Sequence, residues 1–294
     1  MSNDLTAFNP TPAFDQMDVE FNHEQGTVWC NMNPYPRPCF NARLLDEVIG
    51  LKHAIHRAGL NRQTLMQRPH FVVFGSGIPG VFNLGGDLQL FRALIEKRDR
   101  EGLERYARAC IDASYAVSSA WDLPLTTISL VQGTALGGGM EGALAANIVV
   151  AERGVQMGLP EVLFNLFPGM GAFSFLSRRV GPNEAERLIL SGKTWLSEEL
   201  HELGLIDILA EPGFGETVVR DFIAQRQRRS PNAMLAMQRV RKAVNPVSYE
   251  ELEEIAMIWV DAALQLTRRD LRVMERLINS QNRLGAESGL ARAM

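Results

Sequence analysis

The sequence predicts an α/β fold that gives way to an all-helical C-terminal part, on three observations. Short segments that read as strands, such as His70–Phe74 (HFVVF) and Thr126–Val131 (TTISLV), alternate with helical periodicity through the first two thirds of the chain. From Glu216 onward the periodicity is helical, broken at Pro231 and Pro246. Between these regions Gly137, Gly138 and Gly139 stand where a strand turns into a helix.

In order, Met1–Glu20 carries Asp4, Pro10, Pro12, Asp15 and Asp18, with neither a basic nor an apolar leader region, and reads as a flexible arm. Gly26–Met32 reads as a strand, and the three prolines of Asn33–Pro38 exclude regular structure. Asn41 caps a helix whose stripe of Leu44, Leu45, Val48, Leu51, Ile55 and Ala58 stops at Gly59. A buried strand follows at His70–Phe74, then a loop over Gly75–Gly86 and a helix opening at Asp87. Asp99–Trp121 is helical, as are Gly171–Arg179, Asn183–Leu190 and Ser197–Leu203, with a short strand at Asp207–Leu209. The last helices are expected at Thr217–Arg229, Asn232–Val244 and Tyr249–Asn279.

With 294 residues, 46% hydrophobic and 22% charged, the chain has material for one large or two modest domains. A net charge of −4 argues against nucleic acid as the partner. No apolar run is long enough to span a bilayer, and Cys30, Cys39 and Cys110 lack any framework spacing, so free thiols in the cytoplasm are expected.

Chemistry concentrates in Val131–Gly171. Backbone N–H groups at a helix start are free and favour negative charge, and Glu141 falls in the first turn after the glycines. A carboxylate beside an anion site is electrostatically odd unless it moves a proton. Glu161, twenty positions on, is a second candidate, with a structural ion pair as its alternative. Other motifs are weaker. Gly75–Gly80 matches G-x-G-x-x-G, but Pro79, Gly80, Gly85 and Gly86 keep the chain in loop where a dinucleotide site needs a helix, and that loop leaves the Gly86 N–H pointing outward. There is no G-x-S-x-G, and the five histidines form no H-E-x-x-H and no metal set. Arg226, Arg228, Arg229, Arg239, Arg241 and Lys242 read as a solvated helix face or as contacts for a phosphate or an acidic partner.

Taken as a set, FNLGGDL (Phe82–Leu88), TALGGGMEGAL (Thr134–Leu144) and LPEVLFNLFPGMG (Leu159–Gly171) resemble the enoyl-CoA hydratase/isomerase (crotonase) superfamily over about residues 20 to 245. Within it the chain looks most like the bacterial diffusible-signal-factor synthases, the RpfF-type enzymes, because general hydratases more often carry a small-residue A-G-A-D loop where this chain has Asn83–Gly86. The resemblance implies a crotonase-type ββα spiral core at 21–230 after an arm at 1–20. It also implies a helical region at 231–294 that covers an acyl pocket and supports oligomerisation. It implies that the Gly86 and Gly138 N–H groups hold a thioester oxygen and that Glu141 and Glu161 act as acid and base, in an order the spacing leaves open. No cofactor is implied.

The resemblance further implies a 3-hydroxyacyl chain on acyl carrier protein, dehydrated to a cis-2-enoyl chain and released by hydrolysis as a fatty acid signal. Trimers or hexamers and a sensor kinase receiver domain are the implied protein partners. Leu136, Met170 and Trp259 are expected to line the acyl pocket, or else to be core or interface. The competing readings are a 2-enoyl-CoA hydratase or isomerase of fatty-acid degradation and a catalytically silent acyl-thioester-binding protein.

Overall fold

The computed structural model describes residues 14–22, 24–60, 69–229 and 231–292. Its strands are β1 (Met17–Asn22), β2 (Thr27–Met32), β3 (Phe71–Ser76), β4 (Val81–Asn83), β5 (Thr126–Val131), β6 (Thr134–Leu136), β7 (Ile148–Glu152), β8 (Gln156–Gly158), β9 (Thr194–Leu196) and β10 (Ile208–Ala210). Its helices are α1 (Ala42–Leu60), α2 (Leu88–Glu96), α3 (Arg100–Ser119), α4 (Gly138–Ala145), α5 (Ala172–Val180), α6 (Pro182–Ser191), α7 (Ser197–Glu202), α8 (Gly215–Arg229), α9 (Pro231–Val244), α10 (Tyr249–Ala263) and α11 (Arg268–Arg292). The mixed α/β class expected from the sequence is the one observed.

Six strands form one sheet in the order β1-β2-β3-β5-β7-β10, parallel except for the β1–β2 hairpin. Its central strands β3 and β5 are buried on both faces, and Phe71–Phe74 of β3 accordingly reads as an unbroken apolar run. Alternate residues serve opposite faces: Phe71 and Val73 of β3 join Trp29, Ile128, Leu130 and Val150 against Val219 and Ile223 of α8. Val72 and Phe74 face the main core with Cys30, Leu44, Val48 and Ile111. A slip of one residue would exchange the two sets.

The second sheet, β4-β6-β8-β9, is built of three-residue strands. β4, β6 and β8 lie side by side and parallel, through Val81↔Thr134, Asn83↔Ala135, Ala135↔Met157 and Leu136↔Gly158. Each is followed within three residues by a segment singled out in the sequence: Gly86 after β4, Gly138 after β6 and Glu161 after β8. Parallel neighbours present their C-terminal ends on one edge, so this small sheet gathers segments far apart in the chain.

Two expectations need correction. Residues 1–13 of the expected arm lie outside the described residues, but Met17–Glu20 belong to β1 and pair with Trp29–Met32, so the chain is anchored before residue 20. The helix expected over Tyr249–Asn279 is two helices, α10 and α11, divided at Leu264–Thr267. No proline or glycine marks the break. Thr267 and Asp270 form the start of α11, with the Asp270 carboxylate accepting from the Thr267 N–H at 2.8 Å. Among the described residues no helix is long and apolar enough to cross a membrane.

Candidate active site

A cavity of about 230 Å³ opens where the second sheet meets α4. Gly86, Gly138, Glu141, Glu161, Leu136, Met170 and Trp259, all seven candidates from the sequence, line it.

The loop from Leu84 to Asp87 can be followed group by group. The Leu84 N–H donates to the Pro38 carbonyl at 2.8 Å, the Gly85 N–H to Asn83 Oδ1 at 2.8 Å, and the Asp87 N–H to the Tyr106 hydroxyl at 3.1 Å. The Gly85 carbonyl accepts from Phe40 at 2.7 Å and the Asp87 carbonyl from Phe91 at 2.9 Å. The Leu84 and Gly86 carbonyls both accept from the side chain of Gln281, at 2.9 and 3.1 Å. Arg37 grips both Asp87 oxygens at 2.9 Å, while Asp87 Oδ1 caps α2 at the Leu90 N–H. Among the described residues the Gly86 N–H is the one backbone group of this loop with no partner.

Gly138 is the first residue of α4, where an N–H has no intrahelical acceptor. The two glycine segments are in van der Waals contact: a methyl on Gly138 would stand 3.3 Å from the Gly86 nitrogen and 2.6 Å from Met170 Sδ. Gly85 has φ +88°, and a methyl there would reach within 2.9 Å of the Gly138 nitrogen. Two amides with no partner among the described residues therefore share one corner of the cavity, at the positive end of α4.

Glu141, in the first turn of α4, is 1% exposed, and its Oε1 accepts from the Met170 and Ala172 N–H groups at 2.7 and 2.9 Å. Burial pushes its carboxyl up to about 7 against the pull of those two donors. Glu161 sits on the 3₁₀ turn Pro160–Phe164, and its Oε2 is out of solvent with no hydrogen-bond partner among the described residues. Burial first, and then the neighbouring Glu141, hold its carboxyl well above the usual carboxylate range. Among the described residues Glu161 is paired with no cation, so no ion pair within them explains it. Gly137 sets the spacing between the triple glycine and this carboxylate: at φ +54° its Cα faces Glu161 Oε1, where a methyl would come within 2.4 Å.

The remaining walls are apolar. Trp259 of α10 packs on Gly169, where a methyl would meet the indole at 2.4 Å, and on Phe91 with ring centres 4.9 Å apart. Met170 borders both this cavity and a smaller apolar one of about 40 Å³, lined in part by Phe40, Phe74, Phe82, Cys110 and Gly142. The sequence also suggests that an apolar stripe of Ile255, Ile258, Trp259, Ala262, Ala263 and Leu266 closes over the site; among these only Trp259 reaches the cavity, and Ile258 is exposed. Leu277, Ser280, Gln281 and Leu284 of α11 close one side. Sequence reasoning missed these four because it carried α10 straight on; the Thr267-x-x-Asp270 capping pattern was the available signal. The basic cluster is elsewhere: Arg239, Arg241 and Lys242 line an open groove beside Arg178 and Arg179. Cys30, Cys39 and Cys110 are buried free thiols, Cys39 pushed up to about 12 by burial, and Cys110 lines the smaller cavity beside Met170.

Unpartnered amides can stabilise an oxygen that gains charge, and two carboxyl groups with raised proton affinity can exchange protons with the carbons beside it. Comparison with known proteins gives the family. The enoyl-CoA hydratase/isomerase family model matches residues 40–281. The chain is 26% identical over 282 residues to the probable mitochondrial enoyl-CoA hydratase 2 of Arabidopsis thaliana, covering 93% of this chain and 81% of that one. It is 31% identical over 175 residues to human mitochondrial methylglutaconyl-CoA hydratase, covering 59% of this chain and 50% of that one. The enoyl-CoA hydratase from Bacillus halodurans superposes with a TM-score of 0.75 at 20% identity, over 89% of this chain and 99% of that one. Pseudomonas aeruginosa DspI does so with a TM-score of 0.66 at 26% identity, over 80% and 92%. A family match spanning most of the chain, on this fold, means that the protein belongs to the enoyl-CoA hydratase/isomerase family and acts on acyl thioesters.

Proposed function

We propose that the chain dehydrates a 3-hydroxyacyl thioester carried on acyl carrier protein to its cis-2-enoyl thioester. It then hydrolyses the thioester, releasing a cis-2-unsaturated fatty acid signal of the diffusible-signal-factor class. The observation that carries this reading is the convergence of two raised carboxyl groups and two unpartnered amides on one apolar cavity. Glu141 serves as base, because two N–H donors favour its ionised form. Glu161 serves as acid, because its Oε2 has no donor and faces the field of Glu141.

Glu141 takes the proton alpha to the thioester, and charge moves to the carbonyl oxygen between the Gly86 and Gly138 N–H groups. One such donor contributes about 2.7–4 kcal/mol to an oxyanion. Glu161 gives its proton to the 3-hydroxyl, which leaves as water, and the C2–C3 double bond forms. In the second step a glutamate removes a proton from water as its oxygen attacks the thioester carbon; the same amides hold the tetrahedral oxyanion, and the C–S bond breaks with the thiol taking that proton. The FNLGGDL and LFPGMGA wording supports the carrier-protein substrate and the cis product. The apolar walls, and the small cavity beyond Met170, suit an acyl tail.

Supplying the purified protein with matched 3-hydroxyacyl chains on carrier protein and on coenzyme A tests the proposal by mass spectrometry. Free enoic acid is expected from the carrier-protein substrate. Reversible hydration of the coenzyme A ester without hydrolysis would establish a degradative hydratase instead, and binding without turnover a silent binding protein.

A further inference from the structure

α11 reaches the Leu84–Asp87 loop through one side chain. Gln281 is 3% exposed, lines the cavity, and uses its Nε2 to donate to two carbonyls, Leu84 and Gly86. With its donors engaged there, the orientation of the amide is fixed. Its Oε1 is buried and has no hydrogen-bond partner among the described residues. A buried carbonyl oxygen without a donor is destabilising, and a leucine or methionine, such as Leu277 and Leu284 nearby, would fill the same space without that penalty. Packing therefore does not account for a glutamine at this position.

The two carbonyls it holds account for it. The Leu84 carbonyl belongs to the peptide plane before Gly85, and the Gly86 carbonyl to the plane after Gly86. Between them lies the plane that carries the Gly86 N–H, flanked by Gly85 at φ +88°, a residue with no Cβ to restrict it. That middle plane is held at its own carbonyl by the Phe40 N–H at 2.7 Å, and pinning both outer planes to one amide limits its remaining rotation about that bond. A donor helps only when it is aimed, before reaction, at the oxygen that will gain charge.

We propose that Gln281 is a positioning residue for catalysis, holding the Gly86 N–H in the direction of the thioester oxygen. The proposal rests on reading Gly86 as a donor to that oxygen. The test uses the full chain as wild type, Gln281→Met and Gln281→Asn. Turnover of a 3-hydroxyacyl thioester is measured beside binding of the saturated acyl thioester of equal length, which has no hydroxyl to lose and whose binding is read by rapid mixing before any hydrolysis.

The expected result is a fall in kcat of about tenfold or more, with binding of the saturated ester within about twofold and an unchanged pH profile, since neither glutamate is touched. Gln281→Asn withdraws the amide by one methylene while staying polar, so the split remains measurable should the methionine variant not fold. Unchanged kcat in both variants would overturn the proposal. So would a loss of saturated-ester binding equal to the loss of kcat, which would mean general damage to the cavity. A wild-type protein inactive on every thioester is a separate result that removes the functional reading itself, and this proposal with it.

Discussion

Glu141 and Glu161 line one cavity from two different kinds of scaffold. The first turn of α4 fixes Glu141 against the Met170 and Ala172 amides, and α4 itself packs among β4, β6 and α5. Glu161 stands on a 3₁₀ turn of five residues, ended by Asn165 at φ +62°, and its Oε2 has no donor. One carboxylate is held by two N–H donors from a distant segment, the other by its own backbone N–H and by the shape of the pocket. The difference teaches that burial raises both carboxyl groups of one pocket, while the Met170 and Ala172 amides pull Glu141 back toward its ionised form and the field of Glu141 pushes Glu161 the other way.

The strongest way to break this comparison is to neutralise each group. Glu141→Gln and Glu161→Gln are each expected to lower dehydration by about 10²–10⁴-fold, with circular dichroism unchanged. Product release at the wild-type rate in both variants would remove both roles. The next test moves one carboxylate without altering it. Gly137→Ala places a methyl within 2.4 Å of Glu161 Oε1 and imposes strain at φ +54°. A displacement of about 1 Å costs on the order of a hundredfold in rate, so kcat is expected to fall by that order with Glu141 untouched. A variant as active as wild type would show that the Glu161 position is not critical.

The pH–rate profile sharpens the assignment. With Glu141 as base and raised to about 7, activity is expected to rise as pH increases toward neutrality, and to fall at higher pH as Glu161 loses its proton. The two groups titrate as a pair, so the two limbs belong to the pair. In Glu161→Gln any residual activity is expected to keep the acid limb and lose the alkaline one. Loss of the acid limb instead would exchange the two roles.

How much of this was legible follows from the type of signal. In the large sheet β2, β3, β5 and β10 were read, β3 most clearly because burial on both faces makes Phe71–Phe74 a continuous apolar run, whereas β7 and the edge strand β1 were not. The candidate residues read because glycine spacing and paired acids are local patterns, and all seven line one cavity. The three-residue strands β4, β6 and β8 were invisible, since so short a strand has no periodicity of its own and exists by pairing with its neighbours. Those strands are what bring Gly86, Gly138 and Glu161 together. Gln281 was missed for a related reason: its partners lie 197 and 195 residues away, and no local pattern distinguishes it from any other helical glutamine.

The smallest expected effect is on stability, and its sign depends on the pH. A carboxyl group raised on folding binds its proton more tightly in the folded state. Its contribution is therefore fully present below the unfolded value, near the ordinary 4.5, and is lost as pH rises through about 7. At pH 8 the wild type keeps Glu141 ionised in a buried site at a cost of at most about 3 kcal/mol, whereas Glu141→Gln has nothing to ionise and still accepts from Met170 and Ala172. The variant is expected to be the more stable protein at pH 8, by about 1–3 kcal/mol in urea unfolding, with the gap closing toward pH 5. If the variant is the less stable at pH 8, the two amide donors outweigh burial at Glu141. Its proton affinity would then be ordinary, and the pH dependence of the rate would have to come from Glu161 alone.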